Sequence, residues 1–140
     1  MQDFLREVLA ADGHSVVTAA DGQEALDQAV ASKPDLILLD LRMPTLDGVA
    51  FCKAVRLNLR TKHIPIIVVT SLNLQAKLDE SIAAGADDFI GKPFDVHDLI
   101  ARVRSMLKVK HITDPHERQQ QYNLVLGQVR GQREPPSSPN

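Results

Sequence analysis

The chain has 140 residues, of which 44% are hydrophobic but only 4% aromatic, and sixteen Lys and Arg against eighteen Asp and Glu give a formal net charge of -2. This limits it to one domain plus at most an appendage, with an aliphatic core and no basic footprint for nucleic acid. The single cysteine, Cys52, rules out an internal disulfide framework, the N-terminus lacks a basic-then-apolar leader, and no apolar run approaches the roughly 20 residues that span a bilayer, so a soluble, cytoplasmic protein is expected.

Residues 1–11 carry Phe4, Leu5, Val8 and Leu9 at helical spacing, and Gly13 stands where a helix stop is expected. Residues 14–19, with Val16, Val17 and Thr18, read as a short strand. Asp21-Gly22 is a turn into a second helix whose buried face is Ala25, Leu26, Ala29 and Val30. Next comes Leu36-Ile37-Leu38-Leu39, opened by Pro34-Asp35 and ended by Asp40 and a Met43-Pro44 turn. So short and uniformly apolar a run suits a strand buried on both faces by helices.

Asp47 is a plausible N-cap for a helix through about Leu57 with Val49, Ala50 and Val55 inward. Ile66-Ile67-Val68-Val69 forms another buried strand ending in Thr70, and a helix follows over residues 74–84. Gly85-Ala86-Asp87-Asp88 turns into a last strand, Phe89-Ile90-Gly91, which runs into Lys92-Pro93. Phe94-Asp95 opens a helix carrying Val96, Leu99, Ile100, Val103 and Leu107. Beyond residue 110 the chain is rich in Gln and Arg. Residues 117–129 suit a marginal helix stabilised by a partner, and the Pro-Ser tail has the composition of disorder. The domain boundaries read as 1–107 for the folded unit, 108–130 for a linker or marginal helix, and 131–140 for a disordered tail.

Strands alternating with helices predict a parallel sheet with right-handed crossovers. The C-terminal ends of parallel strands share one sheet edge, where open α/β folds bind ligands. A carboxylate (Asp40), a hydroxyl (Thr70) and an ammonium (Lys92) are therefore expected to converge there.

With Asp40 after an apolar strand, Met43-Pro44 and Asp47-Gly48 behind it, Thr70 ending the next buried strand, Gly85-Ala86, and Lys92-Pro93-Phe94, the chain over residues 1–107 resembles the receiver domain of bacterial two-component response regulators, the chemotaxis-regulator family. The thirty residues from Asp40 to Thr70 and the twenty-two from Thr70 to Lys92 agree with that family's spacing. The resemblance implies a flavodoxin-like, doubly wound parallel sheet with helices on both faces, and a phosphorelay function rather than an enzyme's. Asp40 would take a phosphoryl group from a histidine kinase or phosphotransfer protein as an aspartyl phosphate, and Lys92 would pair with a phosphoryl oxygen. Thr70 would be the switch hydroxyl, with Ser71 as the competing neighbour, and Phe89 the switch aromatic, expected in the core.

Output would pass to a downstream protein through the fourth helix, fifth strand and fifth helix, with a homodimer allowed. Neither nucleic acid nor membrane is an expected direct partner.

The sequence departs from the family at its start. The family's first strand ends in an acidic pair that binds Mg²⁺ together with the acceptor aspartate and a backbone carbonyl, here that of Arg42. This sequence contains neither strand nor pair, so Mg²⁺ binding is expected to be weak or absent. Asp87-Asp88 would lie at the opposite sheet edge, Asp12 at the wrong end of its segment, and Asp21 in a turn that would have to bend inward. An incomplete reading frame or a fragment, with Met1 an internal methionine of the first helix, is the expected origin: upstream in-frame codons should encode an apolar strand ending in two acidic residues.

Two alternatives remain. One is a degenerate receiver that serves only as a docking module. The other, a flavodoxin-like cofactor binder, is disfavoured because no Gly-rich phosphate loop follows any strand. Cys52 reads as a small buried hydrophobe, and the five histidines form no metal or catalytic motif.

Overall fold

In the computed structural model, which describes residues 2–41, 47–70, 75–91 and 95–133, helices and strands alternate along the chain. The elements are α1 (Gln2–Ala11), α2 (Gly22–Ser32), β1 (Ile37–Asp40), α3 (Gly48–Leu57), β2 (Ile66–Thr70), α4 (Gln75–Ala83), β3 (Asp88–Gly91), α5 (Val96–Val109) and α6 (Pro115–Arg133). The strands pair in parallel in the order β1-β2-β3, with β2 buried along its whole length. The helices take both faces. Leu5, Leu9, Leu99, Val103 and Met106 cover Ile67 and Ile90 on one side, while Phe51, Cys52, Val55 and Leu78 cover Leu39, Ile66 and Val68 on the other. Even and odd strand positions thus feed two separate cores, as the two-residue period of a strand requires.

Local chemistry explains the helix starts. Asp21, Asp47 and Asp95 each accept a hydrogen bond from a backbone N–H in the first turn, at 2.8 Å from Glu24, 3.1 Å from Ala50 and 2.8 Å from His97. Each cap satisfies a donor that the helix itself cannot. At the other end of α4 the chain turns at Gly85 with φ +123°, where a Cβ would stand 2.7 Å from Arg56 Cγ. Gly85→Ala is expected to destabilise the domain by about 1–3 kcal/mol through backbone strain and displacement of Arg56, read as a thermal midpoint several degrees lower.

Residues 14–19 do not form the predicted strand: among the described residues they join no ladder. A β-branched run becomes a strand only beside a hydrogen-bonding partner, and between this segment and β1 lies a cavity of ≈ 490 Å³, lined by Leu9, Val16, Leu36, Leu38, Val103 and Asp40 among others. β1 is accordingly an edge strand of the described sheet.

Phe89 also departs from expectation. β3 is the opposite edge, and Phe89 is 46% exposed rather than in the core.

The marginal helix expected over residues 117–129 is longer and packs on the domain itself. α6 buries Arg118, Tyr122 and Leu126, with Asp114 accepting from Glu117 N at 2.9 Å at its start. Residues 134–140, which include most of the tail expected to be disordered, lie outside the described residues.

Candidate site at the carboxyl edge of the sheet

The ladder register settles where the strand ends lie. Asp40 pairs with Val69 and Thr70 with Gly91, so the last residues of β1, β2 and β3 stand side by side at one edge. Leu41 N donates to Val69 O at 3.1 Å, extending the β1–β2 ladder one residue past Asp40. Asp40 is half-buried and Thr70 buried. By the pleat, Asp40 shares a face with Val69, and Thr70 lies on the face of Leu41. A group held by both residues therefore has to sit above the edge of the sheet rather than on one face of it.

The Asp47-Gly48 pair acts next to this edge. A Cβ on Gly48 would lie 2.4 Å from Leu41 Cδ2, so the absence of a side chain lets the start of α3 seat directly against the residue after Asp40. Gly91, at the tip of β3, has open space where its Cβ would be. Lys92, the next residue, and Arg42, Met43, Pro44 and Ser71 lie outside the described residues. Of the four predicted phosphoryl-handling and switch residues, Asp40 and Thr70 are neighbours at the edge. Phe89 is two residues before the β3 tip, beside Val68, and faces outward.

Asp12, Asp21, Asp87 and Asp88 are each engaged by other groups. Asp21 caps α2 while bordering the same cavity as Asp40. Asp12 pairs with Arg104 and His14, and its hydrogen bonds to Arg104 hold its carboxyl below the usual carboxylate range. Asp87 and Asp88 lie at the amino ends of the strands, where Asp87 binds Arg56 at 2.9 Å and Arg118 at 2.8 Å. Among the described residues no three His, Cys, Asp or Glu side chains gather as a metal site would require. The described residues therefore do not fit an octahedral Mg²⁺ site.

Cys52 is fully buried on α3, and burial pushes its thiol up to about 11, so it carries no thiolate for chemistry near neutral pH. No described helix is long and apolar enough to cross a membrane.

The arginine cluster at the opposite edge escaped the sequence reading. Arg56 donates to the carbonyls of Gly85 at 2.7 Å and Ile64 at 2.6 Å as well as to Asp87. The available signal was a lone Arg near the end of an apolar helix and two acids before a strand, which is too common a pattern to point to one partner.

Comparison with known proteins identifies the family and the fold. The family model described as "Response regulator receiver domain" matches residues 1–104. The response regulator PleD of Caulobacter vibrioides is 35% identical over 128 residues, covering 91% of this chain and 28% of that protein. The response regulator MprA of Mycolicibacterium vanbaalenii is 38% identical over 108 residues, covering 77% and 46%. The chain thus spans less than half the length of these curated relatives.

Among solved structures, a putative response regulator from Chloroflexus aurantiacus superposes with TM-score 0.71 at 36% identity, over 76% of this chain and 88% of that one. The receiver domain of the sensor histidine kinase PA1611 from Pseudomonas aeruginosa, which has a magnesium ion coordinated in its active-site cleft, gives TM-score 0.70 at 30% identity over the same shares.

Proposed function

Because the chain belongs to the response regulator receiver family, we propose that it is a phosphorelay receiver whose acceptor is Asp40. The observation that carries this reading is the register placing Asp40, Thr70 and the residue before Lys92 side by side at the carboxyl edge. In the proposed step a carboxylate oxygen of Asp40 attacks the phosphorus of a phosphohistidine or small acyl phosphate. The new O–P bond forms as the bond to the donor breaks, and the donor leaves with its electron pair. A carboxylate approaching an already anionic phosphoryl group needs fixed positive charge and donors at the developing charge. Lys92 supplies the cation and Thr70 the hydroxyl. No part of the step is assigned to Mg²⁺, for which the described residues form no site.

The test is intact-mass measurement after incubation with acetyl phosphate, with and without Mg²⁺. A gain of one phosphoryl group, stable in acid, labile in base and lost in Asp40→Asn, is expected. A wild-type protein that gains nothing under either condition counts against the reading and favours a degenerate receiver acting only as a docking module.

A further inference from the structure

The helix α6 is bound to the strand that ends at the candidate site. Asp88, the first residue of β3, accepts from the Tyr122 hydroxyl of α6 and from Arg102 of α5 at 2.5 Å. Asp87, just before it, accepts from Arg118 of α6 at 2.8 Å, and the other Arg118 nitrogen donates to His63 O at 2.6 Å. From Asp88 to Gly91 the strand spans about 10 Å at a strand's rise of 3.2–3.4 Å per residue. The anchors of α6 and the candidate phosphoryl site therefore lie at the two ends of one short rod.

The α5–α6 interface mixes apolar and polar groups. Ala101, Ser105 and Val109 recur at helical spacing as a buried stripe along α5, offset from Leu99 and Val103, and Ala101 and Val109 share a core with Tyr122 and Leu126 of α6. Ser105 Oγ and Arg118 Nε are both buried and find no hydrogen-bond partner among the described residues. On the α6 side, buried Tyr122 and Leu126 and half-buried Val125 supply the apolar part. The hold of α6 thus joins this apolar part to the Asp87 and Asp88 contacts, and the latter depend on where β3 sits.

We propose that α6 is a releasable latch coupled to β3, docked on α5 while β3 holds Asp87 and Asp88 in register and freed when the β3 tip shifts on phosphoryl capture beside it. The trigger rests on the reading of Asp40 given above. The coupling between α6 and β3 does not.

Hydrogen–deuterium exchange on the full chain separates the two. Arg118→Met is expected to speed exchange at least tenfold in both α6 and β3 and to leave α2, packed against the other core, unchanged. Tyr122→Phe keeps the ring and loses one contact, so it should give the same order of response at smaller size. α6 freed with β3 unchanged, or α6 still protected in both variants, overturns the proposal. Wild-type protein carrying the phosphoryl group should also lose α6 protection, and phosphorylated protein with α6 protection intact likewise overturns it. If no phosphoryl group is gained, the Asp40 reading fails while the two variants still decide the coupling.

Discussion

Asp87→Ala is expected to lower stability by about 3–5 kcal/mol, the cost of stripping a buried charge of its partner. Two guanidinium groups rely on this carboxylate: Arg118, 3% exposed, and Arg56, also largely buried. Asp87 Oδ2 also accepts from Ile66 N at 2.8 Å, so the substitution leaves the first backbone donor of β2 without its acceptor. Asp87→Asn keeps one acceptor, loses the charge and replaces the other acceptor in use with an NH₂ donor, and should cost less than Asp87→Ala. The internal control is Asp35→Ala, which breaks a solvent-exposed pair with Lys110 and should change stability by less than about 1 kcal/mol. Urea denaturation midpoints rank the three. Equal effects at positions 87 and 35 would mean that the arginine cluster adds little beyond what a surface pair does.

Lys92→Ala is expected to slow phosphoryl capture from acetyl phosphate by about 10²–10³-fold, the usual effect of removing one fixed group that stabilises developing charge in a transition state. The step leaves negative charge on the phosphoryl oxygens beside Asp40, itself anionic, and Lys92 is the cation that follows the β3 tip in sequence. Lys92→Arg keeps the charge but changes its shape and reach, so it should recover part of the rate. The initial rate of mass gain reports both. A Lys92→Ala protein that captures phosphate at the wild-type rate would remove the ammonium from the mechanism.

Most of the frame was legible because the determinants are local. Leu36-Ile37-Leu38-Leu39 and Ile66-Ile67-Val68-Val69 are too short for helices and too apolar for exposed strands, and Asp47 and Asp95 stand where caps belong. What the residues alone left hidden depended on partners. Residues 14–19 have strand composition, yet a cavity lies where a neighbouring strand would pair. Phe89 looked like core because it is aromatic in an apolar strand, but β3 is an edge and that position faces out.

The docking of α6 was masked by its Gln and Arg content. It is fixed by Arg118 and Tyr122 reaching Asp87 and Asp88 some thirty residues earlier, a pairing that no helical period announces. At the candidate site, the order and spacing of Asp40, Thr70 and Lys92 were readable. The pleat that puts Asp40 and Thr70 on different faces became visible only with the register.

The most direct test of the central claim locates the phosphoryl group chemically. Borohydride reduces an aspartyl phosphate to homoserine, so protein treated with acetyl phosphate and then borohydride should yield one homoserine, at position 40 in the sequenced peptide. Homoserine at another aspartate, or none in a preparation that has gained phosphoryl mass, would contradict the account.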